Sequence, residues 1–319
     1  MNGTDFNNIT VRQFLEAGKS RLHLVALTGE CSEAMERAIP EPLSHRSGLA
    51  LTGFFENFAW KRIQVIGLAE YSYLKTLTAE VRRQRIDGLF SRNIPCLVFA
   101  RGLEPFAEAL SLGEEKHIAV FQTELETRYF IHLSAFVLEN LMAPRCALHG
   151  TMLDVAGVGV FLEGDAGIGK SETALGLIKR GYALVADDFT IFKRDGSNRL
   201  EASSKKLTKN YMEIRGIGII YIPWIFGVGA VKDEMQLDLV ITFIRANSTT
   251  EFDRTGMENQ YKDILGINVP RLTIPVAPGR DLVNLVETAA QAHKLKLSGY
   301  VAAEDLDARL KRNNMNKRG

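Results

Sequence analysis

Apolar and polar positions follow two rhythms along this chain. In TVRQFLEAG, residues 10–18, Val11, Phe14 and Leu15 share one side of a 3.6-residue turn, which predicts a short helix. Thr10 is placed to cap it and Gly18 to end it. RLHLVALTG, RIQVIGL, CLVFARG and HIAVFQT are apolar runs of strand length, bounded by glycine or charge. Between them, TAEVRRQRIDGLFSR predicts an exposed helix. IHLSAFVLENLMAP predicts an amphipathic helix that ends before Pro144. The alternation describes a small α/β domain over residues 1–134 with no visible catalytic cluster. The amphipathic helix serves as connector to a second domain over residues 135–319.

Glycine becomes frequent in the second half, in GDAGIGKS, RGIGII, FGVGAV and APGR. Glycine lets backbone approach a ligand closely, so function is expected there. Composition narrows the class only a little. The chain has 319 residues, 46% hydrophobic and 24% charged, as in an ordinary soluble globular protein. A net charge of +1 calls for neither nucleic acid nor an anionic membrane as partner. The three cysteines, Cys31, Cys96 and Cys146, are odd in number and far apart. They suit a reducing cytoplasm rather than a disulfide framework. The N-terminal residues lack the pattern of a signal peptide, and no apolar run approaches the roughly 18 residues of a spanning helix. The basic end RLKRNNMNKRG is read as a solvated tail.

The sharpest chemical signal is GDAGIGKS, comprising Gly164, Asp165, Ala166, Gly167, Ile168, Gly169, Lys170 and Ser171. Glycines let successive backbone N–H groups turn inward around a phosphate. The helix beginning near Lys170 adds its positive end. Lys170 is placed to reach the β and γ phosphates, and Ser171 to offer a hydroxyl to Mg²⁺. GVGVFL before the loop predicts a buried strand, and SETALGLIKR after it predicts a helix burying Ala174, Leu175, Leu177 and Ile178.

Other candidates surround this loop. YALVADD predicts a strand ending in Asp187 and Asp188, where carboxylates face the ligand crevice of an open sheet. Two acids allow one near a metal and one as general base, although solvated acids at a turn fit the same spacing. His149 precedes the strand that feeds the loop; a lone histidine is also common as a structural residue. In YMEIRGIGIIYI, Glu213 could bind metal and Arg215 phosphate, or the segment is a strand bulged at Gly216. MQLDLVITFIRA predicts a plain buried strand. Arg254 and Arg280 lie beside turns, where a guanidinium can grip phosphate. Leu282, Leu285, Val286 and Ala289 form the apolar face of a late helix.

Taken together, LHG, GVGVFLEGDAGIGKSETALGLIKRG, LVADD, MEIRGIGII, FDRTG and LTIPVAPGRDL resemble the HPr kinase/phosphorylase family of bacteria. GFFENFAWKRIQVIGLAEYSYL resembles its first domain, so the likeness covers nearly the whole chain. The resemblance implies a phosphate-loop α/β kinase domain similar to that of phosphoenolpyruvate carboxykinases, with a smaller N-terminal α/β domain. It implies Mg²⁺ and ATP-dependent phosphorylation of a serine on HPr, a phosphocarrier of the sugar phosphotransferase system, in the control of carbon metabolism. It also implies the reverse step, in which inorganic phosphate attacks phosphoserine and pyrophosphate leaves, and a homohexamer in the cytoplasm. By motif, His149, Lys170, Asp188 and Arg254 match catalytic positions, with Asp188 as the acid–base group. Ser171 and Glu213 match metal positions. Residues 212–221 match a stretch used in both directions and residues 275–280 one tied to dephosphorylation. Ala166, Tyr221 and Ala277 stand where the family often has Ser, Asn and a basic residue. Ala277 leaves one fewer phosphate donor for the reverse direction. The alternative from another substrate class is a small-molecule kinase or carboxykinase-like enzyme, which calls for an enclosed pocket. A non-enzymatic nucleotide sensor would bind nucleotide without transfer.

Overall fold

Strand-length apolar runs need cover on both faces, and the first unit supplies it. The structure is a computed structural model that describes residues 9–28, 32–246, 260–300, 305 and 309. Residues 1–143 and 144–319 form two compact units. In the first, Ser44–Arg46, Ile63–Ile66, Cys96–Phe99 and Ala119–Gln122 lie side by side in parallel, and Val25–Ala26 adds an antiparallel edge. Alternate side chains point to opposite faces. Val65, Val98 and Phe121 pack with Phe14, Phe130 and Leu138 on one face. Ile66, Leu97, Phe99 and Val120 pack with Leu74, Ile86, Leu89 and Leu112 on the other.

The first helix forms as its sequence predicts. Val11–Gly18 carries a capping box in which Thr10 and Gln13 satisfy each other's backbone N–H groups. The helix Ala79–Phe90 is less exposed than its charge suggests, because Ile86, Leu89 and Phe90 are buried. The helix Thr127–Met142 carries the first unit past residue 134, since Phe130, Val137 and Leu138 belong to its core.

The second unit has two large sheets, a two-stranded hairpin and a helical layer. The larger sheet has the order Ala183–Ala186, Thr151–Val155, Val158–Gly164, Leu239–Arg245, Ile267–Val276, Gln260–Ile264. Its three central strands, from Val158–Gly164 to Ile267–Val276, are parallel, and the others run antiparallel to their neighbours. Val160, Leu162, Ile241 and Phe243 face the helices Lys170–Lys179 and Leu282–Leu297. Phe161, Met152 and Val240 face the other way, against Phe192, Leu200 and Ala202. Those three belong to an antiparallel sheet of four strands, Glu234–Gln236, Leu200–Ser204, Phe189–Arg194 and Arg145–His149.

Three segments pass directly from one sheet to the other. Arg145–His149 and Thr151–Val155 are separated by Gly150 alone, and Ala183–Ala186 and Phe189–Arg194 by Asp187 and Asp188. The stretch predicted as one strand, MQLDLVITFIRA, also divides: Glu234–Gln236 joins the four-stranded sheet and Leu239–Arg245 the larger one. Asp238 secures that crossing, its carboxylate accepting from the Gly159 N–H at 2.8 Å. The glycine-rich YMEIRGIGIIYI is not one bulged strand. It is a hairpin, Tyr211–Ile214 against Gly218–Tyr221, because Gly216 and Gly218 take the positive φ values a tight turn requires.

Candidate active site

The strand Val158–Gly164 ends where the phosphate loop begins, and Lys170–Lys179 begins where it closes. Gly169 precedes the helix at φ 108°, with no side chain capping the first turn. Among the described residues the first-turn N–H groups therefore have no side-chain acceptor, which is the condition for anion binding at a helix start. Lys170 Nζ lies back along the loop, donating to the carbonyls of Gly164 at 2.8 Å and Asp165 at 3.0 Å.

A cleft of about 420 Å³ opens beside the loop, lined by Gly164, Ala166, Gly167, Gly169, Lys170 and Ser171. His149, Asp187, Asp188, Glu213 and Arg215 line it too. The fold thus gathers the predicted candidates from four separate segments. Asp165 and Ile168 belong to the loop but do not line the cleft, and Ile168 is buried in the core. Arg254 lies outside the described residues.

The two acids diverge because the backbone turns between them. Asp188 adopts φ 62°, a left-handed conformation that Asp tolerates better than most residues. Its carbonyl accepts from the Gly150 N–H at 2.9 Å, which ties one sheet crossing to the other. Its side chain is 75% exposed and stands 3.6 Å from Nδ1 of His149, itself 71% exposed. The His149 ring sits against Phe189, centroids 3.8 Å apart, and Lys205 covers the same phenyl ring at 4.1 Å. Asp188 and His149 thus meet at the open mouth.

Asp187 points inward. Its Oδ1 accepts from Thr151 Oγ1 at 2.8 Å and lies 3.5 Å from Ser171 Oγ; its Oδ2 accepts from the Glu213 N–H at 3.3 Å. Burial pushes its carboxyl above the ordinary 3.8, and the neighbouring Asp188 charge adds to this. The bonds from Thr151 and from the backbone of Glu213 and Asp188 pull it partly back. Between 3.8 and the raised value the folded state holds more protons than the unfolded state, so stability falls as pH rises through that window. Asp187→Asn is expected to flatten this slope and to raise the melting temperature of the metal-free protein above it. Thermal melts across pH 3–8 check this; an unchanged slope would show that the carboxylate is not destabilised.

Ser171, Asp187 and Glu213 offer only oxygen donors. No group of three or more His, Cys, Asp or Glu side chains among the described residues could hold a metal by itself. One or two carboxylates, a hydroxyl and substrate phosphates are the usual surroundings of Mg²⁺, and these residues fit it. Arg215 lies over the loop, its terminal nitrogens 3.4 Å from where a Cβ on Gly167 would stand. Sequence reasoning missed Thr151; its signal was a polar residue at a helix-facing position of the apolar run TMLDV.

The fold and cleft define an α/β phosphate-loop protein with an acid and a histidine poised at the rim. The family described as HPr serine kinase C-terminal domain matches residues 140–310, and that described as HPr serine kinase N terminus matches residues 9–138. The chain belongs to the HPr serine kinase family. An HPr kinase/phosphorylase of Caldicellulosiruptor bescii is 44% identical over 292 residues, 91% of this chain and 93% of the relative. One of Leptospira biflexa is 39% identical over 291 residues, 91% of this chain and 90% of the relative. A solved structure of the Hpr(Ser) kinase/phosphatase from Coxiella burnetii is 36% identical, covering 50% of this chain and 98% of its own, with a TM-score of 0.46.

Proposed function

We propose that this chain transfers the γ-phosphoryl group of ATP to a serine of HPr. It also catalyses attack of inorganic phosphate on the resulting phosphoserine, releasing pyrophosphate. The observation that carries this reading is the open position of Asp188 and His149 beside the phosphate loop. A serine on the surface of a folded protein can reach an exposed carboxylate; a small-molecule kinase needs its reacting groups enclosed.

In the forward direction the serine oxygen bonds to the γ-phosphorus and the bond to the β-phosphate oxygen breaks. Asp188 accepts the serine proton. In the reverse direction phosphate oxygen bonds to the phosphoserine phosphorus, and Asp188 returns a proton to the departing serine oxygen. One carboxyl at one place does both. His149 stands beside it, 3.6 Å away and just beyond direct hydrogen-bond reach. The loop N–H groups and Lys170 hold the phosphates, so that catalysis is mainly positioning and charge neutralisation. Arg215 and Arg254 are assigned to the same anion. Ser171, Asp187 and Glu213 would hold Mg²⁺, which supplies further neutralisation of the phosphate charge. No helix among the described residues is long and apolar enough to cross a membrane.

The test is incubation of the purified protein with ATP, Mg²⁺ and HPr. Phosphate on an HPr serine, removed again by added inorganic phosphate with release of pyrophosphate, is the expected result. ATP binding with no transfer to HPr would return the reading to a small-molecule kinase or a sensor.

A further inference from the structure

Thr151 opens a strand whose alternate residues, Leu153 and Val155, lie in the apolar core beneath the helices. It pairs in register with Leu162, another residue of that core. A side chain at this position is expected to be apolar, yet Thr151 is polar and only 1% exposed. A buried hydroxyl needs a partner. Its partner is a site carboxylate: Oγ1 donates to Asp187 Oδ1 at 2.8 Å, and that oxygen is the one facing Ser171.

We propose that Thr151 is a positioning residue, whose hydroxyl fixes the Asp187 carboxylate so that Oδ1 meets Ser171 where a divalent cation is held. The proposal rests on the reading of a Mg²⁺-dependent phosphoryl transfer given above. Asp187 is reached from three elements: Thr151 on one strand, Ser171 at the helix start and Glu213 on the hairpin. The Thr151 bond is the shortest of the three. Without it Oδ1 keeps only the long approach of Ser171, and the carboxylate is held chiefly through Oδ2 by the 3.3 Å bond from the Glu213 N–H. Partners behind a metal ligand commonly change metal affinity about 10–100-fold.

The experiment compares wild type, Thr151→Val and Thr151→Ser by titrating Mn²⁺ into the enzyme–ADP complex and following free Mn²⁺ by electron paramagnetic resonance. Thr151→Val is expected to raise the Mn²⁺ Kd about 10–100-fold, and Thr151→Ser to restore it to within about threefold. A hydroxyl that served packing alone would lower the melting temperature of Thr151→Val and leave the Kd unchanged, which would overturn the proposal. A cycle with Asp187→Asn guards against general damage: Thr151→Val must lose its effect on Mn²⁺ once the carboxylate is gone. Equal effects in both backgrounds would overturn the proposal. If Thr151→Val does not fold, Thr151→Ala takes its place in the same cycle. Wild-type enzyme that binds no Mn²⁺ with ADP would overturn the metal reading and this proposal together; binding that Thr151→Val matches would overturn the proposal alone.

Discussion

Asp188→Asn is expected to lower kcat for phosphorylation of HPr by about 100- to 10,000-fold, the range for loss of a positioned acid–base group. Asparagine is the informative substitution. Position 188 sits at φ 62°, a left-handed conformation that Asn adopts readily and Ala does not. The change therefore removes the proton acceptor without straining the corner that holds it. Because the same carboxyl receives the proton in one direction and returns it in the other, phosphorolysis should fall by a comparable factor. Nucleotide binding should persist, since Asp188 makes none of the contacts assigned to the loop. Rates of both directions, with ATP binding alongside, check this. Loss of the kinase with intact phosphorolysis would remove Asp188 from its shared role.

The largest effect on stability is expected from Gly159→Ala, about 3 kcal/mol. Gly159 lies on the strand leading to the phosphate loop, where the chain passes from Gln236 to Leu239 between the two sheets. A Cβ there would stand 1.8 Å from the Gln236 carbonyl oxygen and 2.9 Å from Met152 Cε. The oxygen belongs to backbone, so it cannot swing aside as a side chain would. The Gly159 N–H and carbonyl are also engaged, with Asp238, at 2.8 and 2.9 Å. Separating the strands to admit the methyl would weaken these bonds as well. For a unit of this size the loss corresponds to roughly 6–12 °C in Tm. A melt within 1 °C of wild type would mean that the crossing relaxes at little cost.

Local signals carried much of this fold. The three central strands of the first unit's sheet are buried on both faces, so they read as nearly continuous apolar runs, and Ile63–Ile66, Cys96–Phe99 and Ala119–Gln122 fall inside the predicted runs. The capping box at Thr10 and the phosphate loop are likewise written in consecutive residues. The four-stranded sheet was not legible. Arg145–His149 alternates between exposed and half-buried residues, and only one residue separates it from a strand of another sheet. No window over ALHGTML distinguishes the two. RLHLVALTG shrank to Val25–Ala26 because the N–H groups of Leu27 and Thr28 both donate to the Val120 carbonyl, at 2.9 and 3.4 Å, which ends the regular ladder. The adjacency of Asp187 and Asp188 was plain, but their division of labour depends on a backbone turn stabilised by Gly150, 38 residues away in sequence. Thr151 stands out as polar within TMLDV, but what it bonds was hidden for the same reason: its partner Asp187 is distant in the chain.

The paired crossings at Gly150 and at Asp187–Asp188 also limit where this chain can change length. Each passes between sheets with no slack, and adding or removing one residue there would turn every following side chain of a strand to the opposite face. His149 and Asp188 would part, and Thr151 would leave the helix-facing row. The turn at 195–198, held by Asp195 at the far end of Phe189–Arg194, carries no such constraint. Insertions and deletions compatible with activity should therefore collect at that distal turn and be absent from the corner, a pattern that a library of single-residue insertions would reveal directly.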